Sequence, residues 1–291
     1  MKGKTIAEVR GFPETGSGTL YLVGTPIGNL EDISLRALRI LREADLIACE
    51  DTRQTQKLLN HFKIKTPTTS YHEHNEITKA PELVMRMEEG ARVAQVSDAG
   101  IPGISDPGYR LVHLCIRHRI AVVPIPGPSA AVAALATSGL PTHAFQFVGF
   151  LPAKKVGRRK FLESMGGVSF TTIAFESPRR VVAALQDIRA VLGDRPVVVA
   201  RELTKIHEEF LRGNCSDVLK ALRERAAVPG EITLLLGPAP EAPPAAVSEQ
   251  SVKERVDQLM EQRELSRMEA LKTVARERGL SKSQAYREYQ S

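Results

Sequence analysis

Three short stretches set carboxylates beside cations in a way that suits chemistry: Glu50-Asp51-Thr52-Arg53, Glu176-Ser177-Pro178-Arg179-Arg180 and Arg201-Glu202-Leu203-Thr204-Lys205. A carboxylate next to a guanidinium is kept ionised and held in place, which fits it to be a general base or a polar anchor. Glu50, Asp51 and Arg53 make the strongest group, because the apolar run Leu46-Ile47-Ala48-Cys49 reads as a strand that delivers them to a sheet edge. Glu176 with Arg179 and Arg180 follows, then Glu202 with Lys205; His72, Glu73, His74 and Glu231 complete the candidate bases. Each group also reads as a structural ion pair or a solvated loop. No spacing of His, Cys, Asp and Glu suggests a metal site.

Loops rich in glycine and proline carry a second signal. Val96 to Gly108 reads VSDAGIPGISDPG and follows the apolar run Arg92 to Val96. Glycine lets backbone come close to a ligand, and proline fixes φ and removes a donor. The loop is therefore rigid and presents main-chain groups, and it is far longer than a strand-to-helix turn requires. Asp106 and Pro107 stand where a cap and first residue of the next helix are expected. Gly24 to Asn29 and Pro126 to Ala130 are similar loops after their own strands. In an open α/β sheet such loops hold small molecules.

The elements that must position these loops alternate strand and helix up to about Leu140, which predicts a mainly parallel sheet over 19–140. From 141 to 238 strands come closer together, predicting a second α/β domain with a mixed sheet. Residues 1–18 read as a lead-in and 239–250 as a linker, and 251–291 as a helical module with a glycine turn at Gly279. No apolar run spans a bilayer, no secretion signal begins the chain, and three distant cysteines propose no disulfide frame, so a cytoplasmic protein is expected. A net charge of +6 leans towards a polyanionic partner, and the densest basic run is Lys154, Lys155, Arg158, Arg159 and Lys160. With 5% aromatic residues a base-stacking platform is weakly supported, Tyr71 and Phe150 being its candidates.

The stretches LYLVGTPIGNLEDIS, ACEDTR, VSDAGIPGISDPG, PIPGPSA, FESPRR, RELTKIHEE and GEITLLLG closely resemble the tetrapyrrole-methylase superfamily of S-adenosylmethionine (SAM) enzymes, from about Leu20 to Pro238. Within it they are most similar to the branch that methylates a cytidine ribose 2′-hydroxyl in 16S rRNA. SDAGIPGISDPG and EDTR belong to that branch, whereas tetrapyrrole enzymes and diphthine synthase usually carry a shorter first loop. The resemblance implies SAM between the two α/β domains, bounded by Pro26, Asp98, Gly100, Ile101 and Ser105 and closed by Ser129 and Ala130. Phe175, Leu203 and Gly230 would face it from the second domain. Catalysis of that transfer is expected from the carboxylate–cation groups read above, Glu50, Asp51, Arg53 and Glu176. For the rRNA of the small ribosomal subunit that the resemblance implies, the charge pattern offers Lys154, Lys155, Arg158, Arg159, Arg179 and Lys205 as contacts, with Arg180, Lys282 and Arg287 extending the track. A homodimer is implied too. A sibling methyltransferase for a macrocycle or a protein side chain stays open, as does a non-catalytic ribosome-assembly factor.

Overall fold

Alternation of apolar side chains along short strands lets one sheet bury both its faces. The computed structural model describes residues 18–239, 251–263, 265–278 and 280–290; the expected lead-in and linker fall outside them but for Gly18 and Ala239. In β1 (Thr19–Val23) and β2 (Leu46–Cys49), Leu20, Leu46 and Ala48 join one buried cluster, while Val23, Ile47 and Cys49 join another. Helices α1 (Leu35–Glu43) and α2 (Thr52–His61) cover the Val23 side through Ala37, Leu41 and Leu59. On the other side α3 (Glu76–Glu88) and α4 (Tyr109–Arg117) contribute Leu83, Met87 and Leu111. With β3 (Thr68–Ser70), β4 (Arg92–Val96) and β5 (Ala121–Ile125) the sheet has the order β3-β2-β4-β1-β5, every pairing parallel. All strands thus end at one edge, and β1, β4 and β5 carry the three Gly/Pro loops there. Helix α2 was not legible in its own sequence: it buries only Thr55 and Leu59, and Asp51 caps it through the Arg53 N–H.

After α5 (Ala130–Ser138) comes a mixed sheet. It is built from β6 (Phe145–Phe150), β7 (Thr171–Glu176), β8 (Pro196–Arg201), β9 (Glu209–Asn214) and β10 (Ile232–Leu236), in the order β6-β7-β10-β8-β9. Only β6 and β7 run parallel. One face carries α6 (Lys155–Ser164), α7 (Val181–Leu192) and α8 (Cys215–Arg223), packed through Leu162, Leu185, Ile188 and Leu219. The other face receives α5, whose Ala131, Ala134 and Leu135 sit against Ile173, Val198, Ala200 and Leu235. Alanines let the helix lie close, so both expected sheets share this seam within one compact unit that ends at Pro238. The second unit, from Ala239, holds α9 (Val252–Arg263), α10 (Arg267–Glu277) and α11 (Lys282–Gln290) around Val256, Leu259, Leu271, Val274 and Ala285. No helix among the described residues is long and apolar enough to cross a membrane.

Candidate active site

The seam beneath α5 is packed, but at the strand-end edge it opens into a cavity of about 450 Å³. Its shape begins with Gly100, whose φ of 84° lets the β4 loop turn back onto the β1 loop. There Thr25 and Gly100 exchange backbone hydrogen bonds of 2.9 and 3.2 Å, and the Thr25 hydroxyl donates to the Ser97 carbonyl. At the loop's far end the Gln95 amide and the Gly103 N–H both donate to the Pro107 carbonyl. The loop therefore closes on itself, and α4 starts at Tyr109 with Gly108 before it, not with Asp106 and Pro107 as cap and first residue. Asp106 is freed to face the cavity.

From the second sheet, Phe175 and Phe150 form a wall, their rings 5.6 Å apart. The β8–β9 connection enters from the side. Glu202 and Thr204 have φ of 52° and 65°, left-handed values that cost a non-glycine residue of order 1–3 kcal/mol each. They are held there by hydrogen bonds: Glu202 accepts the Glu231 N–H at 2.8 Å, and the Thr204 hydroxyl oxygen accepts the Asn29 N–H at 3.0 Å. That last bond ties the two sheets' loops together beside Leu203, which lines the cavity.

Five carboxylates line the space, Glu50, Asp98, Asp106, Glu176 and Glu231, and among the described residues no Lys, Arg or His does. Asp98 is oriented by the Asp51 N–H, which donates to it at 3.1 Å. Burial, and then the charges of Asp106 and Asp98, push the Glu50 carboxyl above its ordinary range. The Glu176 side chain is wholly buried. One of its oxygens takes the Ser177 N–H and the Arg180 guanidinium, at 2.6 and 2.7 Å, while Oε2 has no hydrogen-bond partner among the described residues. A buried carboxylate oxygen without a donor is a strong acceptor waiting for one.

The sequence pattern that defines the Tetrapyrrole (Corrin/Porphyrin) Methylases matches residues 19–219. The chain is 50% identical over 275 residues to the "Ribosomal RNA small subunit methyltransferase I" of Halalkalibacterium halodurans, covering 94% of each. The chain belongs to the tetrapyrrole methylase family. A relative of the same name from Thermotoga maritima is 49% identical over 219 residues, 75% of this chain and 98% of its own. Solved structures share the fold: a cobalt precorrin-4 methyltransferase (TM-score 0.54, 20% identity, 75% of this chain and 94% of the other) and a diphthine synthase (0.55, 18%, 75% and 90%).

In this tetrapyrrole methylase most residues expected around a cofactor do come together: Asp98, Gly100, Ile101, Ser105, Ser129, Ala130, Phe175 and Leu203 line the cavity. Pro26 and Gly230 do not. Gly230 has φ of 94°, and a Cβ there would lie 2.4 Å from the Glu202 side chain, so it exists to admit Glu202. Of the expected catalytic group, Glu50 and Glu176 face the cavity, whereas Asp51 and Arg53 do not line it. Two hydrogen bonds from the Arg53 side chain, with one from its backbone N–H, hold the Asp51 carboxyl down at about 2. His72 and His74 pack ring against ring away from it.

The expected RNA contacts change most. Arg158 is 4% exposed and, with the half-exposed Arg159, bonds to Asp187 at 2.6–3.0 Å; two of the five residues of the basic run are thus held in ion pairs, because α6 turns Arg158 to the core. Lys154 and Lys155 stay exposed. Lys205 is tied to Glu202 and Glu231 at 2.9 and 3.1 Å, and Arg180 to Glu176. Tyr71 is buried and presents no stacking surface, while Phe150 is 58% exposed. Arg287 is exposed on the terminal unit, and the Lys282 side chain lies outside the described residues.

Asp106 was the residue the loop's sequence hid, since its place before a helix suggested a cap. Burial pushes its carboxyl up to about 6, Ser97 opposing and Asp98 adding. A folded-state value above the unfolded one means the charged form costs stability above pH 6, and that cost disappears as pH falls towards 4. Asp106→Asn should therefore stabilise the protein at pH 7.5 by on the order of 1 kcal/mol, discounted for its partial exposure, with no gain at pH 4. Thermal melts of both proteins across that range check it; equal melting points at pH 7.5 would contradict it.

Proposed function

We propose that the cavity binds SAM and that the protein methylates a ribose 2′-hydroxyl of a cytidine in 16S rRNA of the small ribosomal subunit. The observation that carries the donor is the charge of the lining: Glu50, Asp98 and Asp106 face it without a cationic partner among the described residues, while Glu176 and Glu231 are paired with Arg180 and Lys205, and this acidic surplus favours a sulfonium and ammonium ligand over a phosphate one. The volume of about 450 Å³ suits a single small molecule. When bound, SAM would supply the electrophilic methyl group, its sulfur leaving as a thioether.

The chain's own residues then do three things. Main-chain groups of Gly100, Ile101 and Ala130 would hold the donor's neutral parts, and Asp98 its charged part. A carboxylate that neutralises the reactant cation does not by itself speed transfer, because only contacts strengthened in the transition state do so. Rate therefore comes mainly from alignment of oxygen, methyl carbon and sulfur, for which effective molarities supply ~7–11 kcal/mol. Glu50 or Glu176 would take the hydroxyl proton, a step worth about 10²–10⁴-fold. Glu50 suits a base, since its raised carboxyl is less acidic than a surface glutamate. The Asp51 N–H positions Asp98, and Asp51 with Arg53 caps the start of α2; neither lines the cavity.

The acceptor class is carried by the name the relatives bear, and they match at 42–51% identity. We place the reaction in the cytoplasm, where small subunits are found, and the protein in a homodimer, the arrangement the family resemblance implies. Incubating the protein with methyl-labelled SAM and undermethylated small-subunit particles or 16S rRNA should put label on a cytidine 2′-oxygen, located by nuclease digestion. Label on a porphyrin or protein acceptor alone would defeat the rRNA assignment. Tight SAM binding without transfer to any acceptor would make the chain an assembly factor.

A further inference from the structure

Resting on the function just proposed, we infer that a groove beside the cavity, between the start of α7 and the end of α8, holds the stretch of single-stranded RNA flanking the acceptor nucleotide. Pro178 lines both the cavity and this groove, so the two adjoin at that residue. The groove encloses about 560 Å³, and Val182, Leu222 and Val228 give it an apolar floor. Arg179 and Arg223 stand on it, both exposed and neither in an ion pair among the described residues. Arg225 also lines it, bound to Glu209 at 2.7 and 2.8 Å. Yet Glu209 takes Arg201 as well, at 3.0 Å, so this one carboxylate faces two guanidiniums and leaves the rim positive.

The charges of the two pockets are opposite, and that decides which ligand each takes. Phosphates brought into a cavity where Glu50, Asp98 and Asp106 have no cationic partner among the described residues would be repelled, whereas a sugar oxygen at its mouth would not. The strand must therefore present its acceptor ribose to the cavity while its backbone runs over a neighbouring positive surface. The groove offers cations at the rim for phosphates and an apolar floor for an unstacked base, the two features that single-stranded RNA sites combine. The basic run keeps Lys154, Lys155 and Lys160 exposed, but its two arginines are held by Asp187 and it lines neither the cavity nor the groove.

The test is the double charge reversal Arg179→Glu with Arg223→Glu, both surface positions, in the full-length protein. Anisotropy of a fluorescent, cytidine-containing single-stranded oligoribonucleotide should show affinity reduced roughly tenfold or more. The slope of log affinity against log salt should shrink by ~0.7 for each phosphate that is no longer neutralised. SAM affinity, measured by calorimetry, should stay within about twofold, which also reports an intact fold. Unchanged RNA affinity and slope would overturn the proposal. So would unchanged oligonucleotide affinity with abolished binding to whole particles, which would give the groove to an acidic protein surface instead. Failure of the wild-type protein to methylate any RNA would sink the parent reading alone, because the binding comparison needs no turnover.

Discussion

Replacing Asp187 by alanine should destabilise the protein by about 3–5 kcal/mol, the usual result of stranding a buried charge. Arg158 is 4% exposed, and among the described residues its guanidinium has the Asp187 carboxylate at 2.6 and 3.0 Å and otherwise only the carbonyls of Pro152 and Ala153. Alanine leaves that cation buried and half-partnered. For a unit of this size the loss corresponds to a melting point lowered by roughly 6–20 °C. Burial alone would raise the Asp187 carboxyl, but hydrogen bonds from Arg159 and Arg158 outweigh it and hold it below the ordinary range. The pair's contribution is therefore present above about pH 4 and fades as pH falls below the unfolded value. Replacing both partners with apolar residues of similar size (Arg158→Met with Asp187→Leu) should recover much of the loss, since neither charge then remains buried. A single-mutant loss under about 1 kcal/mol would mean that Arg158 is solvated after all, and would return it to the RNA-facing surface.

Ala130→Phe should abolish donor binding while leaving the fold in place. Ala130 lines the cavity at the first turn of α5, so a phenyl ring there projects into space that a donor would fill. We expect at least a 100-fold loss of SAM affinity, equivalent to about 2.7 kcal/mol, and a matching loss of methyl transfer. Val132, on the same helix, is 55% exposed and does not line the cavity, so Val132→Phe is the control and should bind SAM normally. Calorimetry decides the matter. Normal SAM affinity in the Ala130 variant would place the donor elsewhere and remove the basis of the proposed mechanism.

Local sequence made the parallel sheet and its three Gly/Pro loops legible, because alternation, strand length and glycine placement are properties of neighbouring residues. The position of Gly100 is a case: a loop that must reverse needs a residue free to take positive φ, and few others can. Glu50 and Glu176 were legible too, as carboxylates at strand ends. Ionic partners were not. Nothing near Arg158 announces Asp187, 29 residues on, and the basic run of which Arg158 is part looks the same whether it faces solvent or core.

By itself, then, the chain's order of residues determined two α/β layers, a helical appendage and a ligand edge of rigid backbone. Only the tertiary structure decided which carboxylates surround one space, that Asp106 is among them, and which arginines beside it have no ion-pair partner among the described residues. Burial and pairing depend on residues distant in sequence, and those are brought together by packing that no local pattern encodes.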